Sequence, residues 1–315
     1  SRGNITLDNT DVISTTSSRG NAGNIIITTP QNIELTNNSE LQADTQGSGK
    51  AGTITVQSQT LNLNEETSLT TQTSGAGAPG KIEIEAETID IGKDAQISAT
   101  ITQESTNKEG GGSIEIDTNT LNISGTLGIF AETEGLADAG DLTLEPYNKG
   151  PKLDIKFSNN GFISASTKST GNGGNIFIKA PENINITGQG FIATKTSGTG
   201  NAGIIDIKTN NLRISNGVKI NASTEDQGNA GQIKINTIEF TLKKGTSLTT
   251  ETNNAGLAGN IEINTKKLTI GQNAQISATA LEGASNKEAG GNITINANDL
   301  DISGKLGIFA ETAGE

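Results

Sequence analysis

A Gly-bearing turn followed by three short aliphatic segments returns about every 28 residues, and this repetition constrains the chain more than any other feature. Anchor glycines Gly23, Gly52, Gly80, Gly112, Gly140, Gly174, Gly203, Gly231, Gly259 and Gly291 are separated by 29, 28, 32, 28, 34, 29, 28, 28 and 32 residues. Periods of about 20 to 50 residues signal a solenoid, propeller or array, in which each unit buries its apolar face only against its neighbours.

Within one unit the apolar residues alternate, as in Lys81-Ile82-Glu83-Ile84-Glu85, then Ile89-Asp90-Ile91, then Ala95-Gln96-Ile97-Ser98-Ala99. Each segment has the period of a half-buried strand. Three aliphatic ladders follow: Ile54/Ile82/Ile114, Leu61/Ile89/Leu121 and Leu69/Ile97/Ile129. Three strands and three Gly/Asn/Thr corners per repeat predict one turn of a parallel β-helix, whereas a propeller blade needs four antiparallel strands and hairpins. The crossover bias predicts a right-handed solenoid. The fold class expected is therefore all-β, a single right-handed parallel β-helix over residues 1–315, with roughly ten and a half coils. At about 4.8 Å per coil it would be on the order of 50 Å long.

Only 31% of the chain is hydrophobic, yet narrow ladders need little more. Each fully buried Ile or Leu contributes about 1.5–3 kcal/mol. Against 22 basic residues stand 35 acidic ones, a net charge of −13, which disfavours nucleic acid and anionic membranes as partners. No apolar run approaches the roughly 18 residues of a transmembrane helix. Cys and His are both absent, which excludes disulfides, thiolate metal sites, an ordinary catalytic triad and His-ligated zinc. The chain opens at Ser1, without Met or a signal peptide, and its wording starts and stops mid-coil. The expectation is a piece of a longer array, or a subunit that stacks end to end.

A larger repeat overlies the coils. Residues 91–135 return as 270–314 at a constant offset of 179, so six coils form a super-repeat. Each 32-residue coil carries an extended third corner, residues 101–111 and 280–290, sharing Asn107-Lys108-Glu109 and Asn286-Lys287-Glu288. Alternation places Phe130 and its copy Phe309 outward, one coil above those corners. These eight residues form the candidate contact patch: either surface aromatics covered by the corner, or a contact recurring about every 29 Å along the rod. Phe177 is also expected outside, with Phe162 and Phe191 near the third corner. The 34-residue coil instead inserts about six residues, Glu145-Pro146-Tyr147-Asn148-Lys149-Gly150-Pro151, which hold the only Tyr.

Carboxylates are the one chemical constellation. Glu83 and Glu115, and Glu85 and Asp117, are expected outward on adjacent coils, where mutual repulsion could raise a pKa or attract a cation. At the matching positions of the second copy stand Glu262, Thr294, Asn264 and Asn296, which favours a solvated acidic face over a catalytic pair. No Gly-Gly-x-Gly-x-Asp calcium repeat occurs. An ice-binding surface needs outward Thr-x-Thr arrays, but Thr45, Thr73, Thr167, Thr196, Thr224 and Thr252 follow the inward parity. No catalytic residue, cofactor or metal site is predicted.

The wording Gly-Asn-Ala-Gly-Asn-Ile at 20–25, Gly-Asn-Ala-Gly-Ile-Ile at 200–205 and Gly-Asn-Ala-Gly-Gln-Ile at 228–233, with Leu-x-Ile and Ile-x-Ala-x-Thr following, resembles a known family. It is similar to the filamentous-haemagglutinin-like exoproteins of two-partner secretion, particularly the form common in cyanobacteria. That resemblance implies a right-handed β-helix, export through an outer-membrane transporter partner, and adhesion, aggregation or filament formation. The secretion domain that defines the family is not in this sequence, and no family catalytic residues exist to carry over. The expected function is a non-enzymatic rod segment of an extracellular or cell-surface adhesin or filament. Self-association, or a cell-surface or carbohydrate receptor, supplies its expected partner. A carbohydrate-active β-helix enzyme or a carbohydrate-binding module is the alternative.

Overall fold

The computed structural model describes residues 2–108, 110–281 and 290–312. Its 28 strands form one parallel sheet wound into a β-solenoid of about 11 turns, all-β as the periodicity predicts. Each coil holds a first, second and third strand, and every strand pairs with its counterparts one coil below and above. Where the corner between two strands is shallow they run together, as in Thr53–Leu63 and Lys81–Ile91 for the first and second. Second and third strands merge likewise in Lys152–Ser164 and Asn183–Thr196.

Register follows the sequence ladders residue for residue. Ile54 pairs with Ile82 and Ile82 with Ile114; Leu61 with Ile89 and Ile89 with Leu121; Leu69 with Ile97 and Ile97 with Ile129. All nine side chains are buried, so the core is a narrow aliphatic column without a break between super-repeats. The inward column Thr45, Thr73, Thr133, Thr167, Thr196, Thr224 and Thr252 is also buried, and Ile101 takes one rung of it.

The Gly-Asn-Ala-Gly wording is explained by the corner that joins the third strand to the next coil. A Cβ on Gly228 would lie 1.7 Å from the Gly200 carbonyl oxygen, and one on Gly231 would lie 1.9 Å from that of Gly203. Backbone meets backbone there, leaving no room for a side chain. The Asn of the motif braces the same corner. Asn172 Oδ1 accepts from Asn201 N at 3.0 Å, Asn201 Oδ1 from Asn229 N at 2.8 Å, and Asn229 Oδ1 from Leu257 N at 2.9 Å. Each side chain thereby satisfies a corner amide that the strand ladders leave over.

The insertion after the first strand of the 34-residue coil folds as a short 3-10 turn, Tyr147–Lys149. Lys149 N donates to Pro146 O at 3.1 Å and Gly150 N to Tyr147 O at 2.9 Å. With Pro146 and Pro151 limiting φ on either side, the loop is a fixed projection on an otherwise even corner.

Candidate functional site

Within the expected contact patch, Phe130 is covered rather than exposed. Phe130 does alternate with the inward Ile129 and Ala131 and pairs with Ser98 and Ser164, yet it is only 7% exposed. The reason lies one coil up. The Phe162 ring packs on it with centroids 4.7 Å apart, leaning over Gly128, where a Cβ would lie 2.1 Å from the Phe162 carbonyl oxygen. Phe191 stacks in register on Phe162, and the Lys219 ammonium lies 5.4 Å from the Phe191 ring centre. The outward aromatics thus form a strip across the third strands, self-covered at its Phe130 end.

Asn107 is covered as well. It is buried, donating from Nδ2 to Gly110 O at 3.1 Å and from its backbone N to Ser105 Oγ at 3.2 Å. Ser105 Oγ in turn donates to Gly75 O at 2.7 Å, tying the long corner to the coil below. Of the first triplet, Lys108 is exposed, while Glu109 lies outside the described residues. In the second copy Asn286, Lys287 and Glu288 also lie outside them, and Phe309 is half-buried, in register with Ser277.

The carboxylates are brought together as the parity implies. Glu83 pairs with Glu115 and Glu85 with Asp117, but Lys81 reaches both Glu83 and Glu115 at 2.8 Å. Burial alone would lower the Lys81 pKa; hydrogen bonds to these two carboxylates, Glu115 foremost, carry it up instead. The register also stacks Glu145 on Asp117. Desolvation, then repulsion from Glu145, Glu85 and Glu115, pushes the Asp117 carboxyl above its ordinary range. In the second copy Asn264 Nδ2 donates to Glu262 Oε1 at 2.9 Å and to Asn236 Oδ1 at 3.1 Å. Neutral amides there replace the charges.

Above Glu145 this outward column changes sign. Asp117, Glu145, Lys179, Lys208, Asn236 and Asn264 stand in register on successive coils, with Lys179 Nζ 3.7 Å from Glu145. Beside the column lies a groove of about 680 Å3, lined by Asp117, Glu145, Lys149, Lys179 and Lys208 with Pro146, Ala180, Pro181, Ile238 and polar corner residues. Its origin is the Pro146–Lys149 projection, which stands beside the shorter corners of the following coils. Proton transfer in this groove would fall on Asp117, since Lys179 pairs with Glu145 and the chain has no His or Cys. Anion recognition is the simpler capacity. The lysine signal was present in the sequence as Lys179 and Lys208, 29 residues or one coil apart, but inward ladders alone did not draw it out.

Among the described residues no group of His, Cys, Asp or Glu side chains is placed to hold a metal ion, and no helix is long and apolar enough to cross a membrane. No family model, curated protein or solved structure matches the chain.

Proposed function

We propose that this chain is a non-enzymatic structural protein, a stiff rod segment of an extracellular adhesin or surface filament. The observation that carries this reading is the unbroken coil-on-coil register, the same first-strand partners recurring from Ile25 through Ile295. A stack held by nearest neighbours spans distance in proportion to coil number. The 179-residue offset extends it by whole super-repeats. The resemblance to two-partner-secretion exoproteins points the same way. Its motif residues act here as corner packing, so it supports the architecture more directly than any activity. Against an enzyme acting through Glu83 and Glu115 stands the Lys81 bridge, which ties both carboxylates into ion pairs with one ammonium.

Two measurements test the reading. Electron microscopy of the chain carrying a second copy of residues 91–269 should show a rod longer by about 29 Å, six coils at the strand spacing. Incubation with acidic and neutral polysaccharides should yield no cleavage product. A product abolished by Glu115→Gln or Asp117→Asn would replace the rod with a carbohydrate-active enzyme.

A further inference from the structure

We infer that the groove beside the Pro146–Lys149 projection is a binding site for an acidic polysaccharide lying along the solenoid axis. This goes beyond the rod reading and does not depend on it.

Charge sets the first requirement. The chain as a whole is strongly acidic, yet the groove gathers three lysines against two carboxylates. Only Lys179 is neutralised, by Glu145; neither Lys149 nor Lys208 forms an ion pair among the described residues. Lys208 stands in register directly on Lys179. Like charges directly opposite on paired strands repel, and a ligand anion at Lys208 would relieve this, with Lys149 on the same groove wall as a further unpaired cation.

The second requirement comes from the surface between the charges. Pro146, Ala180, Pro181 and Ile238 form an apolar floor, and Ile238 is 41% exposed. Asn210, Asn236 and Thr237 edge it with amide and hydroxyl groups, and Asp117 closes the acidic end as an acceptor. A ligand matching this surface needs anionic groups, many hydroxyls and flat C–H faces. A uronate-bearing saccharide has all three. The lining comes from five successive coils, Asp117 to Ile238, a span of about 19 Å at the strand spacing. That length suits an oligomer rather than a single sugar, and the volume lies within the usual range of about 300–1,000 Å3 for ligand sites.

An acidic peptide fits less well. Strand addition needs free backbone donors, but the corner amides are already used: Thr118 N on Glu145 O, Ala180 N on Lys208 O, Thr209 N on Asn236 O and Ile238 N on Asn210 O. Recognition therefore falls to side chains, which suits a hydroxyl-rich chain. The projection is held by its own two turn hydrogen bonds and flanking prolines, so little ordering opposes binding.

The test is calorimetric titration of the full chain with oligogalacturonate, with maltohexaose and a polyglutamate peptide of similar length in parallel. Saturable binding of oligogalacturonate is expected, with binding of each comparison ligand at least tenfold weaker. Lys149→Gln/Lys208→Gln should weaken oligogalacturonate at least tenfold while leaving the melting curve unchanged, and Lys50→Gln should have no effect. Ile238→Glu, a second exposed change, should weaken it comparably. No binding, equal binding of maltohexaose, preferential binding of polyglutamate, or an affinity indifferent to the groove variants would each overturn the site. Any of these leaves the rod standing, whereas cleavage of the oligosaccharide would overturn the rod and leave the groove as its binding cleft.

Discussion

At the scale of single residues, the corner glycines show how tightly the coils approach one another. Gly228 contacts the backbone of Gly200, so Gly228→Ala must push two coils apart. Overpacking of this kind costs about 1–3 kcal/mol. A lowered melting temperature is expected for Gly228→Ala and none for Gly20→Ala, whose Cβ would meet nothing within 4 Å. Thermal melts by circular dichroism decide it, and equal effects at both positions would mean that stacking is not the cause. Glu132 supplies a pH-dependent counterpart. Burial beside the third strand pushes its carboxyl above the ordinary range, although Ser164 Oγ donates to it and Lys168 opposes the shift. A folded-state pKa above the unfolded value means that the native chain takes up the proton first as pH falls. Stability then rises as pH drops from neutral through the folded pKa toward the ordinary carboxylate range, and is lost as pH rises again. Glu132→Gln should melt higher than the parent at neutral pH and show a flatter melting profile from neutral pH down to the ordinary Glu range near about 4.3. A profile parallel to the parent's would assign the pH dependence to other groups, such as Asp117.

At the scale of the strand, inward columns carry the fold. Ile97 lies between Leu69 and Ile129 and is fully buried, so Ile97→Asp would place a charge in the ladder without a partner. Local opening of the adjoining third strands is expected, read as lost amide protection in hydrogen exchange. Retained protection would disprove the strand parity. The threonine column makes the opposite prediction. Thr73, Thr196, Thr224 and Thr252 have buried hydroxyls with no hydrogen-bond partner, whereas Thr45 reaches Gly49 O at 2.8 Å. An unsatisfied buried hydroxyl costs about 1–3 kcal/mol. Thr224→Val keeps the shape and removes that cost, so its melting temperature should rise; Thr45→Val should lower it. A fall for Thr224→Val would show that the hydroxyl is satisfied by internal water.

At the scale of the whole molecule, stability is a sum over neighbouring coils rather than a property of one centre. Ion pairs between adjacent coils, such as Lys168 with Glu134 at 2.5 Å and Lys234 with Glu262 at 3.8 Å, add little individually because both partners face water. The ladders beneath them are continuous. Hydrogen exchange across the chain should accordingly give graded protection, highest in the central coils and falling toward both ends. A single uniform protection value would indicate one cooperative unit instead. On this scaffold the distinguishing features are departures from the repeat: the long corner that packs Asn107 inward, the aromatic strip from Phe130 to Phe191, and the projection that raises one wall of the groove.

The sequence by itself determined what depends on parity and period. Alternation assigned Ile82, Ile97, Leu121 and Thr224 inward, and the glycine spacing set both the coil length and the stacking partners, since each strand meets only its counterparts one coil away. Tertiary structure decided the outward residues, whose surroundings are set across coils. Phe130 has outward parity, but the Phe162 ring above Gly128 buries it. Asn107 lies in a polar corner, yet the corner folds back onto Gly75. Coil spacing already stacked Lys208 on Lys179, but Lys149 joined them in one groove only when the Pro-bounded insertion was set beside shorter corners, because a groove depends on the relative height of adjacent loops, and a repeat length records how many residues a corner holds without recording which way they turn.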